Sequence, residues 1–136
     1  MTEPRDHVYA FGPFLLDSRE RRLLRDGQPV PLTIKAFDLL EVLAKNGGRL
    51  LRKEELLRLV WSDAVVEENN LTVTVSALRK ALGEAPTDRQ YIETVPRRGY
   101  RFVADLRELA DEAVPRRKQG NGRSEPWWEA MVAEAV

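Results

Sequence analysis

The sequence predicts an α+β fold: antiparallel strands first, then three helices, then a closing β-hairpin. Three observations carry this. Short apolar runs separated by turn residues fill the stretch from Val8 to Leu32. Three segments with helical spacing follow between Thr33 and Gly83. Two strand-like runs, Tyr91-Ile92-Glu93-Thr94-Val95 and Gly99-Tyr100-Arg101-Phe102-Val103, then flank the basic tip Pro96-Arg97-Arg98.

Residues 1–7 are polar, carry Pro4 and are expected to be disordered. Val8 to Asp17 reads as one strand, broken by a bulge or kink at Gly12-Pro13. Arg22 to Arg25 is a second strand, Asp26-Gly27 a hairpin turn, and Gln28 to Leu32 a third strand. Pro29 and Pro31 put that third strand at an edge, because proline cannot donate to a ladder.

Thr33 caps the first helix, whose apolar face holds Phe37, Leu39, Leu40, Leu43 and Ala44. Asn46-Gly47-Gly48 stops it, and Arg49 to Leu51 is an extended link. Lys53 to Trp61 forms the second helix, with Leu56, Leu57 and Val60 inward; Asp63 to Glu68 is a loop. The third helix starts after Asn69 or Asn70 and ends at Gly83. Leu71, Val75, Leu78 and Leu82 make its buried stripe, while Thr72, Val73, Ser76, Ala77 and Lys80 face outward. Leu106 to Val114 reads as a short helix or a fraying tail. A basic, glycine-containing linker runs to Ser124, and residues 125–136 form an amphipathic helix with Trp127, Trp128 and Met131. The expected division is therefore 1–7 tail, 8–105 domain, 106–124 linker and 125–136 helix.

The 136 residues suffice for one domain with a real core. The absence of cysteine excludes disulfides, thiolate metal sites and cysteine nucleophiles. The lone histidine, His7, lies near the chain start and argues against a histidine metal site or a Ser-His pair. Pairs such as Glu54-Glu55 lack a histidine, a metal set or a phosphate loop beside them, so no enzyme and no cofactor are expected. No apolar run is long enough to span a membrane and no signal peptide is visible, which reads as a cytoplasmic, nucleoid-associated protein. The balance of 22 basic against 22 acidic residues argues for modest non-specific affinity for nucleic acid. A helix with a small, polar outer face suits a major groove, and a hairpin tipped by two arginines suits phosphates or the minor groove. The expected partner is double-stranded DNA.

The motifs, taken in order, resemble the OmpR/PhoB-type winged helix-turn-helix DNA-binding domain, over about Val8 to Asp105. They are Phe11-Gly12-Pro13-Phe14, Leu32-Thr33-Ile34-Lys35-Ala36-Phe37-Asp38-Leu39-Leu40, Lys53-Glu54-Glu55-Leu56-Leu57 with Trp61, Leu78-Arg79-Lys80-Ala81-Leu82-Gly83 and Thr94-Val95-Pro96-Arg97-Arg98-Gly99-Tyr100. Ala36, the Glu68-to-Thr72 entry and the arginine tip are similar to the CadC-like, one-component branch. The resemblance implies an N-terminal antiparallel sheet of four strands, a three-helix core and a C-terminal β-hairpin wing. Only three strands are evident in the sequence; the fourth is sought between Asp17 and Arg22.

The resemblance also implies a transcriptional regulator. Lys53, Trp61, Arg79, Thr94, Arg97, Arg98, Tyr100 and Arg101 are the expected phosphate and wing contacts. Asn70, Thr72, Val73, Thr74, Ser76, Ala77 and Lys80 are the expected major-groove face. Trp61 and Tyr100 are expected mainly in the core, and Arg79 either on phosphate or paired internally. Asp63, Glu67 and Glu68 lie in the loop that often faces RNA polymerase in the family. Trp127, Trp128 and Met131 suit another regulator or a second copy on DNA. Ser76 and Ala77 stand where many members carry long basic side chains, which excludes the bidentate arginine–guanine pair there and favours readout of shape. Only about seven residues precede the first strand, so no preceding receiver is expected to act as the switch. The rival reading is a protein-interaction module that docks a transcription partner through the tryptophan-rich tail.

Overall fold

A computed structural model describes residues 7–62, 66–84 and 91–109. They belong to two compact units, one formed by the chain up to Val30 and from Asp105 onward, the other by Pro31–Ala104.

The first unit is a five-stranded antiparallel sheet. Its strands are β1 (Val8–Phe11), β2 (Phe14–Asp17), β3 (Arg22–Arg25) and β4 (Gln28–Pro29), with Arg107–Leu109, the last strand in the chain, on the far side of β1. Val8 to Asp17 is thus a hairpin rather than one kinked strand. Phe11 pairs with Phe14 across Gly12-Pro13, with Gly12 at φ +54°. A glycine at positive φ followed by a proline near −65° is the type II′ combination, whose twist matches the flanking strands. The fourth strand therefore comes from splitting the first, and the stretch from Asp17 to Arg22 is a turn. Asp26-Gly27 turns as expected, with both residues at positive φ (51° and 83°). β4 is shorter than expected: only Gln28 and Pro29 pair with β3, with one further bond from the Val30 amide to the Leu23 carbonyl (2.8 Å).

The turn after β2 is built on a buried carboxylate. Asp17 Oδ1 accepts from the Arg19 and Glu20 amides (3.0 and 3.3 Å) and from Arg19 Nε (2.9 Å). Its Oδ2 accepts from Arg19 Nη2 (2.9 Å) and Arg22 Nε (3.2 Å). Burial pushes the Asp17 carboxyl upward, but the Arg19 hydrogen bond and charge, the Glu20 amide and the Arg22 charge together outweigh it. They hold its pKa below the ordinary aspartate value.

Arg107–Leu109 was expected in a helix or linker. Instead it pairs with β1, setting Val8 against Leu109 and Ala10 against Arg107, and His7 Nδ1 meets Glu108 Oε2. Leu109 packs on the cluster of Val8, Ala10, Leu15 and Leu24. The ordered fold thus runs past the expected boundary at residue 105. The other tail residues and their expected helix lie outside the described residues, as do residues 1–6.

The second unit holds α1 (Ile34–Lys45), β5 (Leu51–Arg52), α2 (Lys53–Val60), α3 (Glu68–Ala81), β6 (Ile92–Val95) and β7 (Gly99–Phe102). In chain order, Arg107–Leu109 is then β8. Thr33 caps α1, its hydroxyl accepting from the Ala36 amide at 3.1 Å. Phe37, Leu39, Leu40, Leu43 and Ala44 are buried as their spacing requires. Part of the expected link after α1 is a strand: β5 pairs with β7, and β7 with β6, in a three-stranded antiparallel sheet. Gly99 permits this. A Cβ there would lie 1.9 Å from the Leu51 carbonyl oxygen, closer than any side chain tolerates.

α2 ends one residue before Trp61, which caps it, and Leu57 is half-buried rather than inward like Leu56 and Val60. α3 begins earlier than expected, at Glu68, with Glu67 in the N-cap position, so Asn69 and Asn70 lie within its first turn. It closes at Ala81, with Leu82 as C-cap and Gly83 at φ +72°. Leu71, Val75, Leu78 and Leu82 are at most 2% exposed. Burying each is worth about 2 kcal/mol, so this stripe fixes which face of α3 is left for other work.

Candidate nucleic-acid interface

The helical repeat turns the remaining residues of α3 outward. Asn69, Asn70, Thr72, Val73, Ser76, Ala77 and Lys80 are all exposed, Val73 by 58%. Apart from Lys80 these side chains are short or uncharged, and an apolar valine left in solvent among them makes a surface that can approach a groove floor closely. Thr74 sits at the margin of that strip. Its hydroxyl donates to the Asn70 carbonyl at 2.7 Å, so it is spent on the helix itself.

The hairpin β6–β7 ends in the turn Val95-Pro96-Arg97-Arg98, closed by the Arg98 amide on the Val95 carbonyl (3.0 Å). Pro96 followed by Arg97 at φ +68° is the type II arrangement, in which the second central position favours glycine. An arginine held there is strained and aimed outward. Among the described residues, Lys80, Arg97 and Arg98 are exposed cations with no ion-pair partner. Arg101 is different: it faces Glu93 across the hairpin at 3.5 Å.

Arg79 departs most from a phosphate-contact role. Its Nη2 donates to the Ile92 carbonyl (2.9 Å) and to Thr94 Oγ1 (2.7 Å), its Nε lies 3.4 Å from Glu84 Oε1, and its guanidinium stands over the Tyr100 ring. Its side chain is 13% exposed. The outcome is internal pairing: Arg79 ties α3 to the root of the wing. Thr94 and Tyr100 belong to the same knot, Tyr100 being buried. Glu84 was not anticipated. Its side chain is fully buried, and Oε2 accepts from the Tyr91 and Ile92 amides at 2.6 and 3.1 Å, so it starts β6. A lone acid just after a helix-ending glycine carries no local signature; only its distant partners give it a role.

At the other end of α3, Lys53 Nζ donates to Glu68 Oε2 at 2.6 Å, and the Lys53 amide donates to the Arg98 carbonyl at 3.1 Å. The Glu68 hydrogen bond raises the Lys53 pKa above the ordinary lysine value. Lys53 therefore stands beside the wing tip, but with its charge already matched. Trp61 is buried, its ring below Lys35, whose ammonium donates to the Val60 carbonyl at the end of α2 (2.9 Å). It is a core residue. Glu67 and Glu68 are exposed; Asp63, Trp127, Trp128 and Met131 lie outside the described residues. Arg52, exposed next to Lys53, was not anticipated; its place beside a basic helix start was the available signal.

An exposed helix face beside an arginine-tipped hairpin, both carried on a helical core, defines the winged helix-turn-helix class. The chain belongs to the family described as "Transcriptional regulatory protein, C terminal", whose model matches residues 27–102. That family is defined by regulators of transcription rather than by a catalysed reaction. Over 98 residues the chain is 36% identical to the sensory transduction protein RegX3 of Mycolicibacterium smegmatis, covering 71% of this chain and 43% of that protein. It is 31% identical over 106 residues to the transcriptional activator CadC of Escherichia coli, covering 77% and 21%. The chain thus spans less than half the length of these relatives. Among solved structures it is similar to the DNA-binding domain of E. coli CadC, with a TM-score of 0.68, 29% identity and coverage of 77% and 99%. It is also similar to the Klebsiella pneumoniae RstA DNA-binding domain in complex with the RstA box, with a TM-score of 0.63, 28% identity and coverage of 71% and 96%. Among the described residues no helix is long and apolar enough to cross a membrane.

Proposed function

We propose that this chain binds double-stranded DNA and regulates transcription, with α3 in the major groove and the wing tip on phosphates or in the adjacent minor groove. One observation carries the reading: the small, exposed face of α3 and the unpaired Arg97 and Arg98 lie on one helix and on the hairpin knotted to it by Arg79. Thr72, Val73, Ser76, Ala77 and Lys80 form the base-facing strip. Short groups there can meet a thymine methyl or make a single hydrogen bond, so much of the selectivity rests on DNA shape. Arg97 and Arg98 supply phosphate attraction, with Arg52, in register with Gly99, beside the wing. RNA polymerase, through Glu67, Glu68 and their loop, and another regulator or a second copy on neighbouring DNA, through Trp127, Trp128 and Met131, are the further partners, and the setting is the cytoplasm.

Replacing Arg97 and Arg98 together with alanine tests this directly. Each lost phosphate contact lowers the salt slope by about one unit, so the double variant is expected to lose about two units and to weaken on every sequence alike. Fluorescence anisotropy against a random-sequence duplex measures it; an isotherm identical to that of the parent protein removes the wing from the interface.

A further inference from the structure

Resting on the DNA-binding reading, we propose that Glu68 tempers the affinity for the DNA backbone: its carboxylate occupies the Lys53 ammonium and keeps that charge from the phosphates, restraining sequence-blind binding.

The geometry places the pair where this matters. Lys53 is fixed as the first residue of α2 by the hydrogen bond from its amide to the Arg98 carbonyl, so its side chain starts beside the wing tip. Its Nζ reaches back to Glu68 in the first turn of α3 at 2.6 Å. Glu68 and Arg79 share one flank of α3, eleven residues or about 16 Å apart along the axis, so the ion pair lies on the flank to which the wing is tied. Lys80, Arg97 and Arg98 have no comparable partner among the described residues. A phosphate competing for Lys53 must displace a carboxylate already in contact, and the exposed carboxylate it leaves behind then repels the backbone. Phosphate attraction is blind to sequence, so neutralising one backbone cation lowers affinity for every sequence alike and leaves the groove contacts a larger share of the binding energy. A favourable charge at the helix start explains an acid at this position, but it does not require contact with Lys53.

A double-mutant cycle on the full chain separates the two. Glu68→Gln, Lys53→Gln and the double variant are titrated with a short random-sequence duplex from about 50 to about 200 mM salt. Glu68→Gln is expected to tighten binding at least threefold at the low-salt end and to steepen the salt slope by up to about one unit. The gain should shrink when Lys53 is already glutamine. Equal or weaker binding by Glu68→Gln overturns the proposal, and so does an undiminished gain in the Lys53→Gln background. NMR titration of the Lys53 side chain provides a readout without DNA: Glu68→Gln should lower its pKa, and no movement overturns the pairing. Failure of the parent chain to bind the duplex even at low salt is a different result. It removes the DNA-binding reading, and this proposal with it.

Discussion

Two turns of this molecule are rich in arginine, and they use it in opposite ways. The turn after β2 reads Asp17-Ser18-Arg19-Glu20-Arg21-Arg22, and the wing tip reads Pro96-Arg97-Arg98. Both hold an arginine in the left-handed region, Arg21 at φ +50° and Arg97 at φ +68°. In the first, Asp17 is wholly buried and takes up Arg19, whose side chain is 1% exposed, together with Arg22. In the second, among the described residues, no acid pairs with Arg97 or Arg98, and both stay in solvent. A basic turn therefore says little until its acids are counted. One carboxylate converts a charged turn into a structural clasp, and its absence leaves a surface that attracts anions.

The largest expected effect falls on the clasp. Asp17→Ala leaves buried guanidinium charge uncompensated and should cost about 3–5 kcal/mol, read by urea denaturation. A loss under about 1 kcal/mol would make the two turns alike. Next comes the tip. Arg97→Gly relieves the left-handed backbone and should stabilise the protein by about 1 kcal/mol, while taking about one unit from the salt slope of DNA binding. A stability gain without the binding loss would leave Arg97 as a mere turn residue. The smallest effect is a matter of pH. Because the folded Asp17 pKa is depressed, its contribution is complete above the unfolded value of 3.8 and is lost as pH falls through the lower folded value. Asp17→Asn should flatten the acid limb of the stability profile below that point; an unchanged limb would show that the clasp does not favour the ionised form.

Sequence patterns revealed much of this fold because several of its signals are local. Thr33 lies three residues before the amide it caps, Asp26-Gly27 supplies its own positive φ, and the stripe from Leu71 to Leu82 needs only the helical repeat. The hairpin at Gly12-Pro13 was hidden because every residue of β1 and β2 is buried, so no alternation marks where one strand stops. β8 is three residues long and exists by pairing with β1 from a hundred positions away. The exposed strip of α3 and the exposed tip followed from pattern. The fates of Arg79 and Lys53 did not, since each is decided by an oxygen that arrives from another element.

The knot of Arg79, Glu84, Thr94 and Tyr100 has a mechanical result. Rod and flap share one rigid joint, so the gap between them behaves like the opening of a locked calliper. A locked calliper cannot follow the object it grips. On the proposed reading the duplex must flex to meet it, and base steps that yield cheaply are then preferred at positions no side chain ever touches.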